Sequence, residues 1–190
     1  MKSLVSNSGK ECCKVGQSGL TFATFQPRQE CVLFTGKPEL SIDAKQRLAI
    51  PAKTRSMLEQ ARVGNALYII WGANGVLWLW PERTFEDIAG EIEPTLTPAV
   101  EQMDFDELTF PETQRLDIDS AGRIRLPQEL LEEAGLGSRV LLVGVRHHLE
   151  IWDPDAWATQ HREKVGRRPE IAQRLRGLEH RPRGDPRREP

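Results

Sequence analysis

Leu40-Ser41-Ile42-Asp43-Ala44-Lys45-Gln46-Arg47-Leu48-Ala49-Ile50-Pro51 returns 76 positions later as Leu116-Asp117-Ile118-Asp119-Ser120-Ala121-Gly122-Arg123-Ile124-Arg125-Leu126-Pro127. The two blocks agree apolar for apolar, Asp for Asp, Arg for Arg and Pro for Pro. A second pair follows them, Leu77-Trp78-Leu79-Trp80-Pro81 and Leu149-Glu150-Ile151-Trp152-Asp153. Repeated halves point to two copies of one supersecondary unit that share a core, because neither copy can bury its apolar face alone. A charge placed once per unit is then displayed twice, which suits a repetitive partner such as duplex DNA.

Within each block the periodicity is that of a strand. Leu48 and Ile50 point one way and Arg47 and Ala49 the other, the pattern of a half-buried ribbon. Leu40 to Ile50 reads as a hairpin turning near Ala44-Lys45-Gln46, and Pro51 suits the opening turn of a helix over 51–60. A second hairpin is predicted from Ala66–Trp71 and Val76–Trp80, joined by Gly72-Ala73-Asn74-Gly75. Pro81 ends it, and Thr84 is placed to cap an acidic helix starting near Phe85. The second unit repeats the order: hairpin Leu116–Leu126, then a helix from Pro127 that Gly135 terminates. Strands Val140–Val145 and Leu149–Trp152 come next, turning at Arg146-His147-His148, with a last helix from Pro154. The expected fold class is α+β, two β-β-α-β-β-α repeats related by a pseudo-twofold.

Charge is unevenly spread. Residues 82 to 112 hold ten acidic side chains against Arg83 alone, whereas residues 161 to 190 hold ten Lys or Arg against five Asp or Glu. An acidic middle cannot face DNA, and a formal net charge of −2 does not exclude it, since phosphate binding needs a local basic face. Cys12, Cys13 and Cys31 fit neither a metal knuckle nor a disulfide framework. The start of the chain lacks the apolar run of a secretory signal, and the stretch Leu67–Trp80 is too interrupted to span a bilayer. A cytoplasmic protein with no membrane partner is expected.

The Asp-x-x-x-Arg blocks, each followed by Ile/Leu-Pro and a downstream Trp, resemble the MraZ family of bacterial transcriptional regulators. Phe34-Thr35-Gly36, Leu142-Val143-Gly144-Val145 and Leu149-Glu150-Ile151-Trp152 resemble it too, so the likeness covers about residues 32 to 160. It implies a pseudo-twofold, swapped-hairpin AbrB-like β-barrel within one chain, closed homo-oligomeric rings, and binding to direct repeats upstream of the division and cell-wall gene cluster, generally repressing it. It implies no catalysis and no cofactor. The family pattern Asp-x-Lys-Gly-Arg is departed from at Gln46, where a left-handed turn position would carry a side chain, and at Ala121, which removes a lysine. Expected boundaries are a disordered N-terminal extension over 1–31, the first SpoVT-AbrB-like repeat over 32–92, an acidic connector over 93–112, the second repeat over 113–160 and a basic disordered tail over 161–190. Since family members open just before Phe-x-Gly, residues 1–31 also read as a mis-assigned translation start.

The candidate DNA contacts are Lys45, Arg47, Arg123 and Arg125, with Asp43 and Asp119 orienting the turns. A two-stranded ribbon fits the major groove, and Arg pairs bidentately with guanine O6 and N7. Arg47 and Arg123 can instead bond internally to Asp43 and Asp119, and both roles can hold at once. Lys45 is either a phosphate contact or a solvated turn residue; Arg125 extends the outer face of the second half. Lys53 and Arg55 read first as a solvated helix face, with a phosphate contact as the alternative. The paired aspartates invite an aspartic-protease reading, which the Arg four residues beyond each one opposes by holding both ionised. His147-His148 reads as a turn rather than a metal site, and Trp71, Trp78, Trp80, Trp152 and Trp157 as core or interface packing. An antitoxin-like protein-interaction module is the alternative function.

Overall fold

The computed structural model describes residues 32–92 and 95–179, with side chains to 175. The expectations for residues 1–31 and for the end of the tail lie outside them. The first unit contributes β1 (Glu39–Ser41), β2 (Arg47–Ala49), α1 (Ala52–Gln60), β3 (Ala66–Trp71), β4 (Leu77–Pro81) and α2 (Glu82–Gly90). After α3 (Val100–Thr109), the second contributes β5 (Gln114–Asp117), β6 (Arg123–Arg125), α4 (Gln128–Glu133), β7 (Arg139–Val145), β8 (His148–Trp152) and α5 (Pro154–Gly166). α6 (Arg168–Glu179) follows. The fold is mixed α+β with antiparallel sheets.

The two units are joined strand by strand. A six-stranded sheet runs β1-β7-β8-β4-β3-β5, and β2 pairs with β6 in a separate ribbon. β1 pairs with β7, β5 with β3 and β4 with β8, so each of these ladders crosses from one unit to the other. In the ribbon Leu48 is the Cα partner of Ile124, its own counterpart in the repeat, which places the local twofold at that pair. The sheet order is open, with β1 and β5 at its ends; the described strand pairings do not close it into the barrel that the resemblance implies.

One apolar cluster unites the halves. It contains Phe34, Leu48, Ile50, Leu67, Leu79, Ile124, Leu126, Leu142 and Ile151 among others. Alternation along β4 delivers Leu77 and Leu79 to it, both fully buried, while Trp78 and Trp80 are half-exposed on the other face. The Phe34-Thr35-Gly36 segment crosses so close to β7 that a Cβ on Gly144 would come within 2.6 Å of the Thr35 amide nitrogen. Glycine there is a packing requirement.

Two expectations need correction and one gains detail. α2 begins at Glu82 with Pro81 as its N-cap, and Thr84 caps nothing; Pro81 already has the extended φ of −57° and ψ of 140° of a residue just outside a helix. The stretch read as an acidic connector contains α3. The stretch read as a disordered tail continues α5 to Gly166 and forms α6 up to Glu179. Composition underrates α5 because its start is well capped: the Asp153 carboxylate accepts from the amides of Asp155 and Ala156, at 2.9 Å each, and Pro154 occupies the first turn. Trp157 then packs edge-on against buried Trp152, with ring centroids 5.4 Å apart.

Candidate nucleic-acid interface

Both repeat turns are built the same way around an aspartate. In the first, Asp43 N–H donates to the Arg47 carbonyl at 3.0 Å and Gln46 N–H to the Asp43 carbonyl at 2.9 Å. The Asp43 carboxylate accepts from the amides of Lys45 (2.8 Å) and Arg47 (3.0 Å). Its other oxygen takes Arg47 Nε at 2.8 Å and Arg47 Nη2 at 2.7 Å. In the second turn Asp119 repeats the set, with the amides of Ala121 and Arg123 at 2.9 Å, Arg123 Nε at 3.0 Å and Nη2 at 2.9 Å.

These contacts decide the electrostatics. The Arg47 side chain bonded to Asp43, helped by the turn amides, holds its carboxyl down to about 2 from an ordinary 3.8. The Arg123 guanidinium lowers Asp119 in the same way. A proton-sharing acid pair needs one carboxyl raised. Here both are held ionised, and the register sets them at opposite ends of the ribbon, Asp43 beside the Arg47–Arg125 pair and Asp119 beside Arg123–Ala49. The protease reading fails on both counts.

The aspartates also aim the arginines. With Nε and Nη2 tied to the carboxylate, the Nη1 of each guanidinium has no partner among the described residues, and both side chains stay half-exposed. Leu48 and Ile124 point the other way and are fully buried. Arg47 and Arg123 are half-exposed, and Ala49 and Arg125 are exposed. Among the described residues no carboxylate pairs with Arg125. Lys45 is exposed at the first turn.

Two features of this face escape a reading of the sequence. Arg55, expected to be solvated, lies against the second turn: its Nε donates to the Ile50 carbonyl at 3.2 Å, and a Cβ on Gly122 would stand 2.7 Å from its Cζ. At the first turn Gln46 takes φ +56°, where Gly122 has +76°, and its Nε2 donates to Gln128 Oε1 at 3.2 Å. The left-handed position at Gln46 was legible from the repeat; its contact with a helix of the other unit was not.

The remaining candidates are structural. His148 lies in β8 between Trp78 and Trp80, at centroid distances of 4.3 and 4.7 Å. Its Nε2 is 3.6 Å from Glu150 Oε1, an ion-pair distance once protonated but too long for a hydrogen bond. Burial pushes the Glu150 carboxyl up, but its polar neighbours prevail and leave it lowered, His148 foremost, followed by the indole N–H of Trp152 at 2.7 Å and the Asn74 amide at 3.1 Å. No cluster of metal-binding side chains occurs among the described residues, and no helix there is long and apolar enough to cross a membrane.

A duplicated β-β-α-β-β-α unit that offers one Asp-oriented Arg per copy on a shared ribbon defines a class of tandem-repeat proteins with paired polar turns. The family model described as "MraZ protein, putative antitoxin-like" matches residues 33–106 and 109–176, one turn in each segment. The chain belongs to the MraZ family. Proteins named Transcriptional regulator MraZ are similar to it. That of Thermomicrobium roseum is 34% identical over 146 residues, 77% of this chain and 99% of the relative. That of Chromobacterium violaceum is 35% identical over 123 residues, 64% of this chain and 81% of the relative. That of Mycoplasmoides gallisepticum is 28% identical over 143 residues, 75% of this chain and 97% of the relative.

Proposed function

We propose that this chain is a transcriptional regulator that binds duplex DNA sequence-specifically through the outer face of the β2–β6 ribbon. The observation that carries this is the face itself: Arg47, Arg123 and Arg125 stand on it while its reverse is core. A ribbon of this width enters the major groove, and guanidiniums pre-aimed by Asp43 and Asp119 lose less freedom on pairing with guanine edges or phosphates. Lys45 supplies a phosphate contact that positions the ribbon without reading sequence. The target is a set of direct repeats upstream of the division and cell-wall genes, which the protein represses from the nucleoid.

A single ribbon offers few contacts, so firm binding calls for several copies on one particle. Ile88, Val100, Met103 and Leu108 leave an apolar surface on α2 and α3, which supports assembly into a ring. Linked ribbons on repeated sites then act through effective concentration. The same surface, with the groove lined by Trp71, Trp80, Phe85 and Phe110 beside it, supports the second reading, an antitoxin-like module that binds a protein partner.

Fluorescence anisotropy on the protein's own upstream DNA against scrambled DNA, at two salt concentrations, tests the proposal. Specific binding is expected, and it is lost in the Arg47→Ala/Arg123→Ala variant while circular dichroism stays unchanged. Equal, salt-sensitive binding to both DNAs would assign the affinity to non-specific phosphate contact. A stoichiometric protein partner with no retained DNA would favour the antitoxin-like reading.

A further inference from the structure

The antiparallel register makes the two ends of the ribbon chemically unlike. Arg125 belongs to the second unit in sequence, yet its Cα partner is Arg47, so it stands beside the first unit's turn. Arg123, at the second turn, faces only Ala49. The first end therefore gathers Lys45, Arg47, Arg125 and the Gln46 amide. The second has Arg123 and Arg55, with Ala121, Gly122 and Ala49 in the places of Lys45, Gln46 and Arg125.

Geometry at the first end favours a base edge. Like charges directly opposite on one face repel, and Asp43 neutralises Arg47 only. Arg125 is exposed, no carboxylate among the described residues pairs with it, and beside it opens a groove of about 390 Å³ lined by Gln46, Arg125, Leu116 and Gln128. The Gln46 amide gives one hydrogen to Gln128. It retains its carbonyl oxygen and its second N–H, the acceptor and donor that match adenine N6 and N7. Arg125 keeps its full fork for guanine O6 and N7. At the second end Arg55 spends its Nε on the Ile50 carbonyl, and no side chain stands where Gln46 does.

We infer, building on the DNA-binding reading above, that Arg125 and Gln46 make the first-turn end the sequence-discriminating end of the ribbon, while Arg123 and Arg55 hold the phosphate backbone at the other. One half of each bound repeat is then strongly constrained in sequence and the other weakly.

The test is selection from a pool of random duplexes by the full chain, followed by anisotropy on the enriched duplex and its single-base variants. Arg125→Ala and Gln46→Gly are each expected to reduce discrimination about tenfold at positions within one half of the site, the scale of one lost bidentate contact. Arg125→Lys should keep the non-specific affinity and its salt dependence but lose that discrimination, because it retains charge without the fork. Arg123→Ala should weaken all sequences about equally and lower the salt dependence. If Arg125→Ala and Gln46→Gly both leave the base preferences intact, the inference is overturned and DNA recognition stands. If the unsubstituted chain enriches no sequence, both fall.

Discussion

Replacing Leu48 with alanine should destabilise the whole molecule, not the ribbon alone. Leu48 is fully buried, as is its partner Ile124, and both belong to the single apolar cluster. The truncation removes about three carbons, or ~2.4 kcal/mol at ~0.8 kcal/mol each. The cavity raises this, since buried Leu→Ala changes cost ~2.7–5 kcal/mol. Strands of three residues, each held by a tightly bonded turn before it and a helix after it, have little slack to collapse into the hole, so about 3–4 kcal/mol is expected. Against a typical total of ~5–15 kcal/mol, that loss moves a urea midpoint far. Ile124→Ala should cost about as much. The double variant should lose less than the sum by at least ~0.5 kcal/mol, because the two holes merge. Urea unfolding followed by both far-ultraviolet circular dichroism and tryptophan fluorescence measures all three, and the two probes should coincide because every ladder but β3–β4 and β7–β8 joins the units. A loss below ~1 kcal/mol for Leu48→Ala, or two separate transitions, would refute the shared-core reasoning.

Other outcomes follow from the turns and the buried polar group. Asp43 has a folded-state value near 2 against an ordinary 3.8. A depressed folded pKa contributes stability that is complete above the unfolded value and lost as pH falls through the folded one. The acid limb between about pH 4 and pH 2 should therefore flatten in Asp43→Asn, as read by an acid titration of circular dichroism, and Asp119→Asn should act in the same direction. Gln46→Gly should stabilise by roughly 0.5–1 kcal/mol, since relief of the left-handed backbone (~1–2 kcal/mol) exceeds the added chain entropy (~0.5–1 kcal/mol). Gly122→Ala should instead cost about 1–2 kcal/mol by thermal melting, being strained in φ and pressed against Arg55. Glu150→Ala leaves the donors of Trp152 and Asn74 without their acceptor, at ~1–3 kcal/mol. Glu150→Gln should lose less in the same urea assay.

What could be read in advance was local. Alternation at Arg47-Leu48-Ala49-Ile50 shows which side chains go inward, and Pro51, Pro127 and Gly135 mark helix ends through backbone restrictions that act on the spot. Gly135 does take φ +61° after α4. The Asp-Arg turns were legible as pairs because donor and acceptor lie four residues apart. Pattern reveals a strand's faces but not its neighbours: alternation puts Arg125 on the outer face with Arg123, and only the pairing shows that it stands beside the first turn. Arg55 was misread for a related reason: its partner, the Gly122 turn, lies in the other unit, and no local periodicity encodes a contact across that distance. α3 and α6 were missed because their apolar side chains, such as Val100, Phe105, Leu108, Ile171 and Leu175, are exposed and the helices bury no face to reveal them.

The crossed ladders also govern how the chain can be made. Glu39 emerges from the ribosome early, and Leu141, its partner, late. In the interval the first unit carries an open strand edge and a ribbon with only one of its strands. Closing such distant pairs is slow, since the loop must be ordered before any contact repays it. Two nascent chains on one message hold identical open edges in each other's reach during that interval. Synthesis pace, and not final stability alone, thus bears on whether a unit finds its own second half or a neighbour's.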